Sequence, residues 1–148
     1  MSHAITQNIL GLFASPYICK ELQQLGVTAD AVYKYRKYPN DQAYHLITYT
    51  ADPLGIIYGN PIQVTEQGVH VSYTDIPAYN IYELLSALPG AFINHLNSMY
   101  EIAMGTDWAL EPVKDSRLPD GLAKMVFTAI RQRLITAEAI NKLILKHS

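Results

Sequence analysis

The sequence predicts an α+β fold: an antiparallel β-sheet of about four to six strands, with three to four helices packed mainly on one face. Three observations carry this. A helix with its own start and stop signals lies before residue 30. From Ala31 the apolar period falls to two, with turn residues between the runs. Beyond Leu122 the helical period returns. Helix, then strands, then helices is an α+β order and not an alternating βαβ one. The chain has 148 residues and shows no internal repeat, low-complexity tract or linker, so a single globular unit over residues 1–148 is expected.

Ile5, Ile9, Leu12 and Phe13 are spaced for a short amphipathic helix. Helix 16–25 follows. Ser15 can cap it, and Pro16 stands at the first helical position, where its missing N–H costs nothing. Ile18, Leu22 and Leu25 form its apolar stripe, and Gly26 suits a left-handed C-terminal cap. Residues 31–38 and 44–50 alternate around Pro39-Asn40-Asp41 and read as a hairpin. Ile56–Tyr58 reads as a short strand, and residues 62–65 and 69–73 as a second hairpin turning at Gly68. Pro77 is expected to end the sheet.

Asn80 and Glu83 have the spacing of a capping box for helix 80–88, with Tyr79 and Leu84 at the stapling positions. Residues 91–111 fit two readings. Phe92, Leu96, Met99 and Tyr100 are helically spaced, yet the same stretch makes two strands around an Asn97-Ser98 turn. Trp108 is expected to anchor the segment that follows. Leu122, Met125, Val126, Ala129 and Ile130 line one face of helix 118–132. Thr136 can cap helix 136–146, with Ile135 and Ile140 stapling and Leu143 and Ile144 buried.

Apolar residues make up 49% of the chain and charged ones 16%, which excludes a disordered, charge-rich polymer. Cys19 is the single cysteine, so neither an internal disulfide nor a cysteine-clustered zinc site can form. No apolar run approaches the ~20 residues of a membrane span, and no basic-then-apolar leader opens the sequence. A cytoplasmic protein without a membrane partner is expected. Charge is uneven: residues 51–120 hold nine carboxylates against Lys114 and Arg117, while residues 121–148 hold five bases against Glu138. Mutual attraction of these segments in the fold explains the pattern most simply; a polarised surface that steers a charged partner is the alternative.

The order of "SPYICKELQQLGV", "AVYKYRKY", "DIPAYNIYELLSALPG" and "LPDGLAKMVFTAIRQRLIT" resembles a family of small hypothetical proteins from Bacteroidetes-type bacteria, their phages and mobile elements. The resemblance spans roughly residues 15–145 and departs from the family pattern over Ile93–Lys114. Its motifs are core and capping residues, so it implies a fold and supplies no catalytic residues.

Chemistry-bearing patterns are sparse. No phosphate loop, dinucleotide fingerprint, nucleophile elbow or calcium-loop spacing occurs. None of the histidines, His3, His45, His70, His95 and His147, falls in a ligand spacing, although His45 and His70 could face each other across the sheet and Glu101 and Asp107 lie near His95. No catalytic residue, metal or cofactor is therefore expected. The most suggestive run is Tyr33, Lys34, Tyr35, Arg36, Lys37 and Tyr38, joined by Arg131 and Arg133 as a candidate binding surface. Stacking aromatics beside bases is what single-strand nucleic-acid platforms use. Strand alternation instead puts Tyr33 and Tyr35 on one face and Lys34 and Arg36 on the other, so the simpler expectation is tyrosines inward and solvated bases outward. The favoured function is a non-enzymatic protein-interaction or accessory protein of phage or mobile-element type, binding another protein or a second copy of itself. Nucleic-acid binding through the Tyr/Lys/Arg strand is the alternative, and an enzyme with a small pocket ranks last.

Overall fold

The computed structural model describes residues 11–48, 73–105 and 110–145. In chain order these form α1 (Pro16–Gln24), β1 (Tyr33–Lys37), β2 (His45–Thr48), β3 (Thr74–Ala78), α2 (Ile81–Ser86), β4 (Phe92–Leu96), β5 (Met99–Ala103), β6 (Val113–Asp115), α3 (Leu118–Arg131) and α4 (Ala137–Leu145). The class is α+β. The six strands are divided between two antiparallel three-stranded sheets, ordered β2-β1-β3 and β4-β5-β6. Most of the first expected helix, the strand at 56–58, the hairpin at 62–73 except Tyr73, and Trp108 lie outside the described residues.

α1 ends as its sequence dictates, with Gly26 at φ 101°. Its start differs. Ser15 occupies the N-cap position but makes no side-chain cap. Its hydroxyl instead meets Asp120 Oδ2 at 2.7 Å, and its N–H donates to Asp120 Oδ1 at 2.6 Å. Asp120, in the first turn of α3, thus joins the N-termini of α1 and α3. Arg117 completes the junction, donating to Ser15 Oγ at 2.6 Å, to Asp120 Oδ2 at 2.9 Å and to the Phe13 carbonyl at 2.9 Å.

Pro77 does not end the first sheet. It lies within β3, opposite Lys34 of β1. β3 is an outer strand of that sheet among the described residues, and an outer strand can carry a residue that lacks an N–H. The capping box of α2 forms as the spacing predicts: Glu83 N–H donates to Asn80 Oδ1 at 2.8 Å and Asn80 N–H to Glu83 Oε1 at 2.9 Å. Glu83 Oε2 also accepts the Val32 N–H at 3.1 Å, tying α2 to the start of β1. Tyr79, fully buried, donates its hydroxyl to the Ala29 carbonyl at 2.8 Å.

Residues 92–103 take the strand reading. Asn97 and Ser98 have φ 55° and 62°, both left-handed, as a two-residue hairpin turn requires. The short β6 has too few residues for its alternation to register in the sequence. α3 covers the face of this second sheet that carries Ile102, Val113 and Asp115. Gly121 permits the close approach, since a Cβ there would lie 2.5 Å from Ile102 Cδ1. Lys124 of α3 pairs with Asp115. Thr136 Oγ1 accepts the Ala139 N–H at 3.1 Å at the start of α4. Asn141 of α4 accepts the Thr28 and Ala29 N–H groups at 2.8 and 3.0 Å and donates to the Gly26 carbonyl at 3.0 Å.

The helical stripe is the centre of the core. Leu122, Met125, Val126, Ala129, Ile140 and Ile144 are buried, with Ile130 and Leu143 half-buried at its margin. Leu122→Ala should cost roughly 2–5 kcal/mol, read as a lowered denaturation midpoint in urea. Asn80→Ala removes only the cap of α2 and should cost about 1 kcal/mol in the same titration.

Candidate functional site

The Tyr/Lys/Arg run is drawn into the fold more deeply than strand alternation suggests. Tyr35 is buried and donates its hydroxyl to the Ala14 carbonyl at 2.6 Å. Burial pushes its hydroxyl well above the ordinary tyrosine range. Tyr33 is half-buried, edge-on to Phe13 at 4.9 Å. Arg36, expected to be solvated, is only 3% exposed. It stands opposite Asp75 in the β1–β3 register and forms a two-pronged pair with it, Nε to Oδ1 at 2.8 Å and Nη2 to Oδ2 at 2.9 Å. The Tyr73 ring lies 3.8 Å from its guanidinium carbon. The hydrogen bonds it donates to Asp75 hold its pKa above the ordinary arginine value. Lys34 Nζ also reaches Asp75, at 3.1 Å. One carboxylate thus balances two of the strand's three bases.

Lys37 faces elsewhere, while Tyr38 stays beside Arg36 and accepts a hydrogen bond from its guanidinium. With Lys20, Pro39, Tyr44 and Tyr73, Lys37 and Tyr38 line a concavity of about 340 Å³, where Lys37 Nζ is 5.7 Å from the Tyr44 ring and Tyr38 is edge-on to Tyr73 at 5.8 Å. Arg131 and Arg133 are exposed at the far end of α3, Arg131 lying 5.7 Å from Phe127 and Arg133 at φ 62°. Arg131 ends a helix that packs on α1, α2, β5 and β6, and Arg133 follows it in the turn, whereas β1 packs on β2 and β3 and holds Tyr35 and Arg36 buried. The eight candidate residues therefore do not form one surface.

The remaining titratable groups have structural surroundings. Cys19 is buried, and desolvation pushes its thiol up to about 12, so it is held as the unreactive thiol. His95 stacks on Tyr100 at 4.1 Å with the rings 7° from parallel. Glu101 lies opposite Asn94, on the other face of the sheet from His95, so the two do not pair. His45 Nε2 is 3.4 Å from Asp41 Oδ2, and its expected neighbour His70 lies outside the described residues. Among the described residues no cluster of metal-ligating side chains occurs, and no helix is long and apolar enough to cross a membrane.

The surface feature that departs most from an ordinary exterior is the β4–β5 hairpin. Every residue of β4 is exposed. Phe92 is 67% exposed and Leu96 72%. Alternation and register place Phe92, Asn94, Leu96, Met99, Glu101 and Lys114 on the face turned away from α3. Asn94, Leu96, Asn97, Met99, Glu101 and Lys114, together with His95, line a concavity of about 460 Å³ beside the hairpin. β4 is also an outer strand, unpaired on one side among the described residues. Sequence reasoning missed this site. Its signal is the absence of any charge from Leu84 to Tyr100, which leaves the strand without the lysines that usually blunt an edge.

The chain matches no protein-family model, curated protein or solved structure with which it was compared.

Asp75 is the hinge of the basic strand. Asp75→Ala leaves Arg36 buried without its carboxylate and should cost about 3–5 kcal/mol, measured by urea denaturation. Lys37→Ala, on the same strand, should change stability by less than about 0.5 kcal/mol.

Proposed function

We propose that this protein is a non-enzymatic protein-interaction module that accepts an extended segment of protein chain along the open edge of β4. The supporting observation is that edge itself, five exposed residues long, uncharged, and flanked on its outward face by Phe92, Leu96 and Met99. Strand addition suits it: main-chain hydrogen bonds supply affinity, and alternate side chains of the guest meet the apolar face. The guest is a protein segment of alternating character with apolar residues opposite Phe92 and Leu96. The family resemblance of the sequence points to the accessory proteins of phages and mobile elements as its setting.

Nucleic-acid binding through β1 is the less favoured reading because Asp75 already pairs with Lys34 and Arg36. Its strongest support is the Lys20, Lys37 and tyrosine concavity, where cations and aromatic rings do share one space.

A labelled peptide of residues 91–97 serves as the guest in fluorescence anisotropy. Binding should be nearly insensitive to salt and should be lost with Phe92→Lys/Leu96→Lys. N-methylation at alternate peptide positions should also abolish it. Absence of peptide binding, together with tight single-stranded DNA binding that falls steeply with salt and disappears in Lys20→Glu/Lys37→Glu, transfers the function to the basic concavity.

A further inference from the structure

The proposed strand-accepting edge can be taken further, because the geometry of the hairpin specifies which strand fits it. A two-residue turn with both φ values positive closes on a hydrogen-bonded pair, here Leu96 opposite Met99. Antiparallel ladders alternate, so Phe92, Asn94 and Leu96 exchange main-chain hydrogen bonds with β5. The N–H and C=O groups of Ile93 and His95 then point away from β5, along the open edge. Any guest strand must pair with those two residues.

β4 of a second copy does so. Run antiparallel about a two-fold axis at Asn94, Ile93 meets the second copy's His95, and His95 meets its Ile93. Each is a hydrogen-bonded pair made from the outward groups of both strands. Asn94 meets its own counterpart as the intervening pair, with Cα atoms about 4.5 Å apart, close enough for the two amides to bond each other. Phe92 lies opposite the second copy's Leu96, apolar against apolar, on the face where both are now exposed. Centring the axis on Ile93 or His95 instead sets Asn94 opposite Phe92 or Leu96, which loses that match.

Charge offers no obstacle. β4 has no ionisable residue apart from His95. The next charges inward, Glu101 and Lys114, pair within one copy at 3.7 Å. Three strand spacings, about 14 Å, would separate Glu101 from its counterpart. That exceeds the ≈ 8 Å screening length at physiological ionic strength.

The geometry points to a homodimer in which β4 of two copies pairs antiparallel about Asn94, joining the two β4-β5-β6 sheets into one six-stranded sheet. This rests on the strand-acceptor reading and narrows its guest to the protein's own strand.

Sedimentation velocity and cysteine cross-linking test it. The unmodified chain should sediment as a dimer at micromolar concentration. Ile93→Pro removes only the outward donor and should sediment as a monomer. Asn94→Cys should give a covalent dimer on mild oxidation, because a Cα separation of about 4.5 Å falls within disulfide range. Phe92→Cys and Leu96→Cys should each remain uncross-linked alone and cross-link when mixed. The native Cys19 is buried and does not compete. Cross-linking of Asn94→Cys reads the register even if Ile93→Pro fails to fold. A chain that sediments as a monomer up to sub-millimolar concentration overturns the dimer, as does a dimer in which Asn94→Cys forms no cross-link. If such a chain still binds the 91–97 peptide, self-pairing falls and the strand-acceptor reading stands. If it binds no peptide, both fall.

Discussion

Asp120 holds two helix N-termini in one place. Its carboxylate takes both hydrogens that Ser15 can offer and a guanidinium hydrogen from Arg117, while remaining only 4% exposed. The charge sits where two sets of helix dipoles present their positive ends, so the field of each helix favours it. Losing it takes the shared acceptor from the half-buried Ser15 and Arg117, which must then turn to water or to other partners. α1 packs against β3, and α3 against β5 and β6, so this junction is also what sets the two sheets in relation to one another.

The exposure of β4 follows from that placement. α3 is fixed at its first turn, and the closeness permitted by Gly121 brings it onto Ile102 and Asp115. It therefore covers β5 and β6. Ile93 and His95, although on the face turned towards the helix, remain exposed at the margin, Ile93 by 38%. Phe92 and Leu96 point the opposite way, where no described element lies over them. A strand that is apolar and open on one side is costly for an isolated chain and useful in an assembly. This is why the proposed interaction surface is placed on β4 and not on the basic strand.

β1 illustrates the opposite outcome. Its sequence has the aromatic and basic content of a nucleic-acid platform, but Asp75 stands directly across from Arg36 and within reach of Lys34. A two-pronged carboxylate–guanidinium pair can bury a charge that would otherwise stay in water. The pair binds β3 to β1 at the expense of two candidate contacts.

Local rules in the sequence determined much of the fold. The C-terminal end of α1, the Asn80–Glu83 capping box and the Thr136 cap depend on interactions within a few residues, and the chain spells these out, as the period of α3 spells out its buried face. The sequence of residues 91–111 fits two periods, and the paired positive φ values of Asn97 and Ser98 commit residues 92–103 to a hairpin. Four features came only from the tertiary structure: the division into two sheets, the continuation of a strand through Pro77, the burial of Arg36 and the diversion of Ser15 to Asp120. Each rests on a partner far along the chain. Ser15 and Asp120 are 105 residues apart and Arg36 and Asp75 are 39 apart. The exposed edge of β4 is of the same kind, because a strand's period says which residues share a face but not whether a neighbouring element will cover it.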